Sequence, residues 1–441
     1  MASGDRTTTV KIAIVGTGVS GLVAAHELSP DHDVTVFEAD DRIGGHANTV
    51  DVRIDGHDHA VDTGFIVYNE ANYPGFIRLL DQLDVATRPT DMSFGVSVAR
   101  SGLEYRGSNL NTLFAQRSNL LRPRFLRMLV EIVRFNRAAR TLVQHESRWA
   151  DGTRLPKHAE RGDDEVSIAE FLRRGRYSEA FVSQFLVPFG AAIWSADPAT
   201  FTQFPMRSYA RFMENHGLLG LAGRPQWRTV CGGSRTYVEA LIKPLSDRIQ
   251  LNTPVEKIIH REHGGQSRVE VITAAGAHEF DRVIIAAHSD QALGMLGDAS
   301  AVEQAILGAI GYQPNRATLH TDERMLPRSP LARASWNYWV APDEQRATVT
   351  YWMNLLQGID STRPLLLTLN RADAIDPEQV LAEFDYDHPV FDAAALRAQR
   401  RRHEIQGGRG RYFVGAYWGY GFHEDGVQSA LEVVRAIGDD R

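Results

Sequence analysis

The stretch Val10-Lys11-Ile12-Ala13-Ile14-Val15-Gly16-Thr17-Gly18-Val19-Ser20-Gly21 decides the fold. Val10 to Val15 is mostly apolar and β-branched, and Gly16 ends it. Gly21 to Leu28 then reads as a helix that can pack through Leu22, Val23, Ala25 and Leu28. Val34 to Phe37 is a second short apolar run, so strand, turn, helix and strand open a βαβ unit on a buried parallel sheet. Residues 16–21 fit G-x-G-x-x-G. Gly16 permits the tight turn, Gly18 lets the backbone approach a pyrophosphate, and Gly21 lets helix and strand pack closely. Around Ser20 the free N–H groups and the dipole of the helix N-terminus favour a diphosphate. Glu38 ends the second strand about twenty residues on, where a carboxylate can accept from ribose hydroxyls. A tight turn alone would account for the glycines; strand, helix and placed acid together point to a bound dinucleotide.

After Glu38 come Ala39-Asp40-Asp41-Arg42-Ile43-Gly44-Gly45-His46. Here the chain resembles the flavoprotein superfamily of amine oxidases and phytoene desaturases, whose first unit reads E-x-x-x-R-x-G-G. The resemblance implies FAD, with Glu38 and Ala39 at the ribose and Arg42, Gly44, Gly45 and His46 along the diphosphate and near the flavin. Val61-Asp62-Thr63-Gly64 resembles the next segment of that fold, which passes the isoalloxazine ring and would bring Thr63, Gly64 and Phe65 to it. Val255, in Asn252-Thr253-Pro254-Val255, matches the place where backbone groups meet the adenine. Gly415-Ala416-Tyr417-Trp418 and Gly421-Phe422-His423-Glu424-Asp425-Gly426 precede a final helix. In the superfamily that helix N-terminus faces the flavin, which would put Gly415, His423, Gly426 and Val427 in contact with the cofactor. A positive helix end there stabilises developing negative charge on the ring.

No second G-x-G-x-x-G follows a strand, and Gly217 to Gly223 has glycines without a strand signal before it. The electron donor is therefore expected to be the substrate itself. That favours an oxidase, a desaturase or an internal redox isomerase over an NADPH-driven reductase. If a proton leaves with the hydride, the candidate catalytic residues are Tyr68, His423 and Glu424. His423 and Glu424 adjoin the flavin-facing turn, and Tyr68 follows Asp62-Thr63-Gly64.

A closer resemblance runs through the middle of the chain. Asp91-Met92-Ser93-Phe94-Gly95-Val96-Ser97, Leu113-Phe114-Ala115-Gln116-Arg117, Gly190-Ala191-Ala192-Ile193-Trp194-Ser195, Asn215-His216-Gly217-Leu218-Leu219 and Arg224-Pro225-Gln226-Trp227 through Gly232-Gly233-Ser234-Arg235 are similar to one bacterial group. This is the "predicted NAD/FAD-binding protein" family within the superfamily, whose members are often encoded beside cyclopropane-fatty-acid synthase-like methyltransferases. The resemblance implies a fatty-acyl or other lipid substrate, desaturated or isomerised, and a lipid methyltransferase as partner. Two alternatives stand beside it: a flavin amine oxidase, and a flavin-binding accessory subunit of such a methyltransferase. True amine oxidases place a lysine near flavin N5, whereas Gly311 to His320 has Asn315 and Arg316 but no lysine. They also carry an arginine where His46 follows Gly45.

The remaining pattern sets the architecture. Met92, Phe94, Val96 and Val98 alternate with Ser93, Gly95 and Ser97 as in a half-buried strand. Helices are expected at about Leu120 to Val143, Ser167 to Phe185 and Asp425 to Ile437. Strands are expected at Val283 to Ala287, Trp336 to Val340, Thr348 to Met353, Leu365 to Leu369 and Tyr412 to Tyr417, with a turn at Ala341 to Glu344. The fold class read from this is α/β. A Rossmann-type, glutathione-reductase-like FAD-binding domain (1–90, 225–300 and 405–441) is interleaved with an α+β substrate domain (91–224 and 301–404). At 441 residues the chain exceeds a single compact core.

A net charge of -7 argues against bulk nucleic-acid binding. A lone cysteine, Cys231, excludes a disulfide framework and any cysteine-based metal site, and no metal is expected. Met1 to Thr9 lacks the apolar core of a secretory signal and no run is long enough to span a bilayer, so a cytoplasmic location is expected. Peripheral membrane contact is a further expectation. Between Arg117 and Arg140 the helix has seven arginines and one acid, Glu131, and reads as amphipathic and basic.

Overall fold

The computed structural model describes residues 9–150, 166–220, 225–263, 266–342 and 346–439. Met1 to Thr8, part of the Ala341–Glu344 turn, the end of Gly217–Gly223 and Arg224 lie outside them.

Five parallel strands form the first sheet, in the spatial order Ile249–Gln250, Asp33–Phe37, Lys11–Val15, Arg282–Ile285, Arg411–Phe413. The sheet is thus assembled from the start, middle and end of the sequence. Side chains alternate across a strand, and both faces here are buried. Ile12 and Ile14 pack with Val34 and Val36 under the helices Val19–Leu28, Arg235–Ile242 and His423–Asp439. Ala13 and Val15 pack on the other face against Ile258, Val269, Val271 and Phe280 of a three-stranded antiparallel sheet. The layering is therefore helix, parallel sheet, antiparallel sheet.

A seven-stranded mixed sheet forms the second body, in the order Val380–Pro389, Tyr312–His320, Leu366–Leu369, Val349–Trp352, Trp336–Val340, Phe94–Val98, Leu103–Arg106. Trp336–Val340 pairs in parallel with Phe94–Val98, and its other neighbour is antiparallel. Helices from residues 123–215 close its core through Phe125, Met128, Phe135, Phe181 and Phe201.

Three expected elements differ in extent. The helix read from Ser167 to Phe185 breaks at Gly175, where Arg176 turns left-handed (φ 50°), and Ser178 caps a new helical run that continues to Trp194. A Cβ at Gly175 would meet the Tyr177 ring at 2.4 Å, so glycine there lets that ring fold back over the helix end. The strand read as Tyr412 to Tyr417 ends at Phe413, because Gly415 and a helical turn at Ala416–Trp418 fold the chain away. The long helix spans Pro123–Ala150, with Arg117–Leu121 a separate 3-10 turn before it. Among the described residues no helix is long and apolar enough to cross a membrane.

Candidate active site

The glycine turn sits where the first strand hands over to the first helix. Gly16 has φ 101°, and a Cβ there would lie 2.9 Å from the Ala286 carbonyl oxygen. A Cβ on Gly21 would lie 2.0 Å from the Gly16 oxygen. These two glycines are therefore demanded by protein packing. Gly18 differs: a Cβ there meets nothing within 4 Å. Gly18 is also the N-cap of the helix Val19–Leu28 and supplies no side-chain cap. An uncapped helix end beside open backbone is an anion cradle.

Glu38 lies at the rim of this cradle. One carboxylate oxygen accepts from the Thr17 N–H at 2.8 Å and from the Thr17 hydroxyl; the other accepts from Asp40 N–H at 3.0 Å. Ala39 beside it is exposed. The Glu38 carbonyl accepts from Thr253 N–H at 2.8 Å, which brings Val255 and its neighbours alongside. Gly45 crosses over Gly18: a Cβ on it would stand 3.1 Å from the Gly18 Cα. Two buried polar atoms next in sequence, Arg42 Nη1 and His46 Nε2, have no protein partner. A cradle with open space at Gly18, an uncapped helix end and an unpaired buried guanidinium nitrogen fit a dinucleotide diphosphate.

The strip that follows is rigid. Phe65 N–H donates to the His46 carbonyl at 2.7 Å, and a Cβ on Gly64 would collide with that same oxygen at 2.1 Å. Thr63 donates its N–H to Asn48 at 2.8 Å, and its hydroxyl lies 2.8 Å from the Tyr386 phenol. Asp62 below it accepts from Thr49, from Ser234 N–H and hydroxyl, and from Gln357 at 2.6–2.8 Å. Burial pushes its carboxyl up to about 6 despite these bonds.

The helix His423–Asp439 packs across the first helix. A Cβ on Gly426 would reach Ser20 Oγ at 2.8 Å and Val19 at 2.9 Å, so glycine here lets the two helix starts meet. Val427 is buried against the same core. Gly415 donates its N–H to Ser429 at 2.8 Å and fixes the turn before that helix. The ring of His423 stacks on Phe65 with centroids 3.6 Å apart, and its Nε2 lies 2.8 Å from the Tyr237 hydroxyl. Burial lowers its pKa to about 3, so the imidazole is neutral.

The three expected proton carriers converge on Phe76. Tyr68 is buried with its ring edge-on to Phe76 at 5.4 Å, and His423 is edge-on at 5.6 Å. Glu424 instead binds backbone: its oxygens accept from Gly75 N–H at 2.9 Å and Phe76 N–H at 2.8 Å, capping the helix Pro74–Gln82. Gln428 occupies it further at 2.6 Å. That bonding makes Glu424 a tie between two helices.

A second group was not foreseen. Around His46 stand Tyr386, His388 and His288, with centroids 5.0, 5.6 and 5.9 Å away. His388 Nδ1 is 2.9 Å from the buried Asn315 amide, and His288 stacks on Tyr312 at 4.5 Å. Burial and mutual repulsion hold His46 well below the usual imidazole range, and His388 falls to about 4. Among the described residues no group of His, Cys, Asp and Glu is placed to hold a metal ion. This is an uncharged cluster of half-buried imidazoles beside the Arg42–Gly45 cradle. Tyr386 and His388 lie on Val380–Pro389, where Glu383-Phe384-Asp385-Tyr386-Asp387-His388 alternates acid with ring. That alternation was the available signal. Arg316, next to Asn315, turns the other way and pairs with Glu383 and Asp385 at the surface.

Comparison with known proteins agrees with this geometry. Residues 19–438 match the family described as "Flavin containing amine oxidoreductase". A Mycobacterium tuberculosis protein, "Putative flavin-containing monoamine oxidase AofH", is 29% identical over 289 residues, 63% of this chain. The chain spans 57% of the length of that relative. Cyclohexylamine oxidase from Brevibacterium oxydans superposes with a TM-score of 0.70 at 16% identity, over 98% of this chain and 99% of that one. A CLA-producing fatty acid isomerase from P. acnes superposes with a TM-score of 0.64 at 16% identity, over 97% and 98% of the two chains. At such identities the superpositions establish the shared fold. With the family match spanning nearly the whole sequence, the chain belongs to the flavin-containing amine oxidoreductase family.

Proposed function

We propose that the chain removes a hydride from a C–H bond of a fatty-acyl or other lipid substrate, desaturating or isomerising it. The observation that carries this reading is the uncharged cluster of His46, His288, His388, Tyr312 and Tyr386 beside the cofactor cradle, which offers no ionised acid–base pair. Hydride removal needs proximity and exclusion of water more than an acid–base pair. When bound, FAD supplies the hydride acceptor. Arg42 and the first helix N-terminus would hold its diphosphate, Glu38 its ribose, and Gly45, Thr63 and Gly64 its ring. His423, held neutral between Phe65 and Tyr237, would border the ring without adding charge. Beyond His423 the packing is aromatic: Phe422 stacks on Phe212 with centroids 5.2 Å apart, and Phe212 meets Trp194 at a tilt, 4.6 Å away. On this reading residues 1–90, 225–300 and 405–441 carry the cofactor, and 91–224 and 301–404 the substrate. The closer likeness to the bacterial NAD/FAD-binding group, with its methyltransferase neighbours, belongs to the same reading.

The second reading is a flavin amine oxidase, favoured by the family and by the amine-oxidase names among the relatives. Anaerobic mixing of the yellow protein with fatty acids, phospholipids and amines decides between them. The lipid reading expects an acyl compound to bleach the visible flavin band. An amine that bleaches it, and releases ammonia in air, replaces this reading with the amine-oxidase one. A band that no substrate bleaches rejects both and returns the accessory-subunit alternative.

A further inference from the structure

Ten large apolar side chains stay exposed among the described residues, and six of them lie between positions 110 and 133. Leu110 is 75% exposed, Leu121 87% and Val130 69%, values typical of side chains with no protein neighbour. Monomeric proteins scatter such residues singly, and gathering them on one face marks a contact surface. The long helix Pro123–Ala150 already buries one stripe, Phe125, Met128, Phe135 and Ala139, in the core. Leu126, Val130 and Val133 form a second stripe at i, i+4 and i+7 that faces solvent. Leu120 and Leu121 continue it through the preceding 3-10 turn, and Leu110 starts the short helix Leu110–Leu113 before that.

Arginines border this stripe. Arg127 and Arg134 lie on one side by helical spacing, Arg137 extends the stripe itself, Arg122 precedes the helix, and Arg124 lies on the far side. All five are exposed, as is Arg117. The acid on this stretch, Glu131, is buried and already engaged by Ser178, Arg127 and Arg134. The strip is thus strongly cationic on a chain whose net charge is -7. A second copy of the same face would meet it with like charge. An anionic lipid surface matches both features, since guanidinium heads pair with headgroups while the apolar side chains enter the acyl boundary.

We propose that the face formed by residues 110–137 docks the protein on an anionic lipid bilayer as a peripheral, interfacial element. The proposal does not depend on the substrate being a lipid. It places the large mixed sheet and its helices against the membrane.

The test is sedimentation of the flavin-loaded protein with phosphatidylglycerol vesicles and, separately, phosphatidylcholine vesicles. Binding to phosphatidylglycerol that high salt reverses, with little binding to phosphatidylcholine, is expected. R122Q/R137Q is expected to weaken it about tenfold or more, at roughly fivefold per arginine near a charged surface. L121S/L126S/V130S is expected to weaken it about tenfold or more through lost apolar insertion. Both sets change exposed side chains, so Tm and flavin content stay at the parent values. Absence of binding to phosphatidylglycerol overturns the proposal, as does equal binding by parent and variants. A concentration-dependent dimer that L121S/L126S/V130S abolishes overturns it too, by assigning the face to a second copy.

Discussion

An alanine at position 18 adds one methyl group at the point where the glycine turn opens toward the cofactor. That methyl meets no protein atom within 4 Å, and the backbone of Gly18 (φ -61°, ψ 172°) is open to any residue. The G18A fold should therefore hold, with Tm within a few degrees of the parent. In the holoprotein the methyl stands where backbone N–H groups must reach a diphosphate. Losing one charge-assisted hydrogen bond costs about 2 kcal/mol, which is roughly a thirtyfold weaker FAD affinity. G21A is the contrast. Its Cβ would sit 2.0 Å from the Gly16 oxygen, so the turn itself must move, at a cost of about 3 kcal/mol. G21A should lose Tm and flavin together. The assay is the ratio of flavin to protein absorbance after purification, with FAD titration of the apoprotein and a thermal melt. A G18A protein that keeps parental FAD affinity refutes the assignment of the cradle.

Three further outcomes follow from the geometry. E424Q keeps one carbonyl acceptor for two backbone donors on the helix Pro74–Gln82, so it should cost about 1–2 kcal/mol of stability. Turnover per folded molecule should stay near the parent, and a collapse of turnover with unchanged Tm would make Glu424 catalytic instead. D62N can keep an amide oxygen for Thr49 and Ser234 but then turns its NH2 toward the Gln357 amide donor, and should cost about 2 kcal/mol, read by denaturant unfolding. Acidification should destabilise the fold. His216, His320 and His388 fall to about 4 and His423 to about 3, against an ordinary imidazole value of 6.5. Between these limits the unfolded chain binds more protons. This stability is therefore complete above about pH 6.5 and is lost as pH falls toward 4. Asp62 and Asp425, raised to about 6, work the opposite way, favouring the fold below about pH 4 and losing that as pH rises through 6. The four imidazoles move further than the two carboxyls, so Tm should drop from pH 7 to pH 5; a rise would contradict the burial of these rings.

The first βαβ unit was legible because its signals are local. An apolar run, a G-x-G-x-x-G turn and an acid at the next strand end each act within a few residues, and the strands Lys11–Val15 and Asp33–Phe37 fall where the pattern puts them. Trp336–Val340 and Leu366–Leu369 were legible for the same reason. The break at Gly175 was hidden because it depends on the Tyr177 ring packing onto the chain. The strand Val380–Pro389 was missed because its acids reach solvent at a sheet edge, and its rings find their partners across long sequence separations. Asn48 and Tyr386, for example, are 338 residues apart and bonded at 3.0 Å. The cofactor cradle is a local motif, whereas the His46, His288 and His388 cluster exists only once the two sheets face each other. Glu424 illustrates the converse: its place in the sequence suggested chemistry, while its bonds to the Gly75 and Phe76 N–H groups appear only in the fold.

On this geometry one FAD is expected across the turn at residues 16–21. Denaturing the purified protein and identifying the released cofactor by mass spectrometry tests it most directly. Intact FAD close to one per chain is expected in the parent, with a clear deficit in G18A. A colourless protein that takes up no added FAD, or one that yields FMN alone, would contradict it.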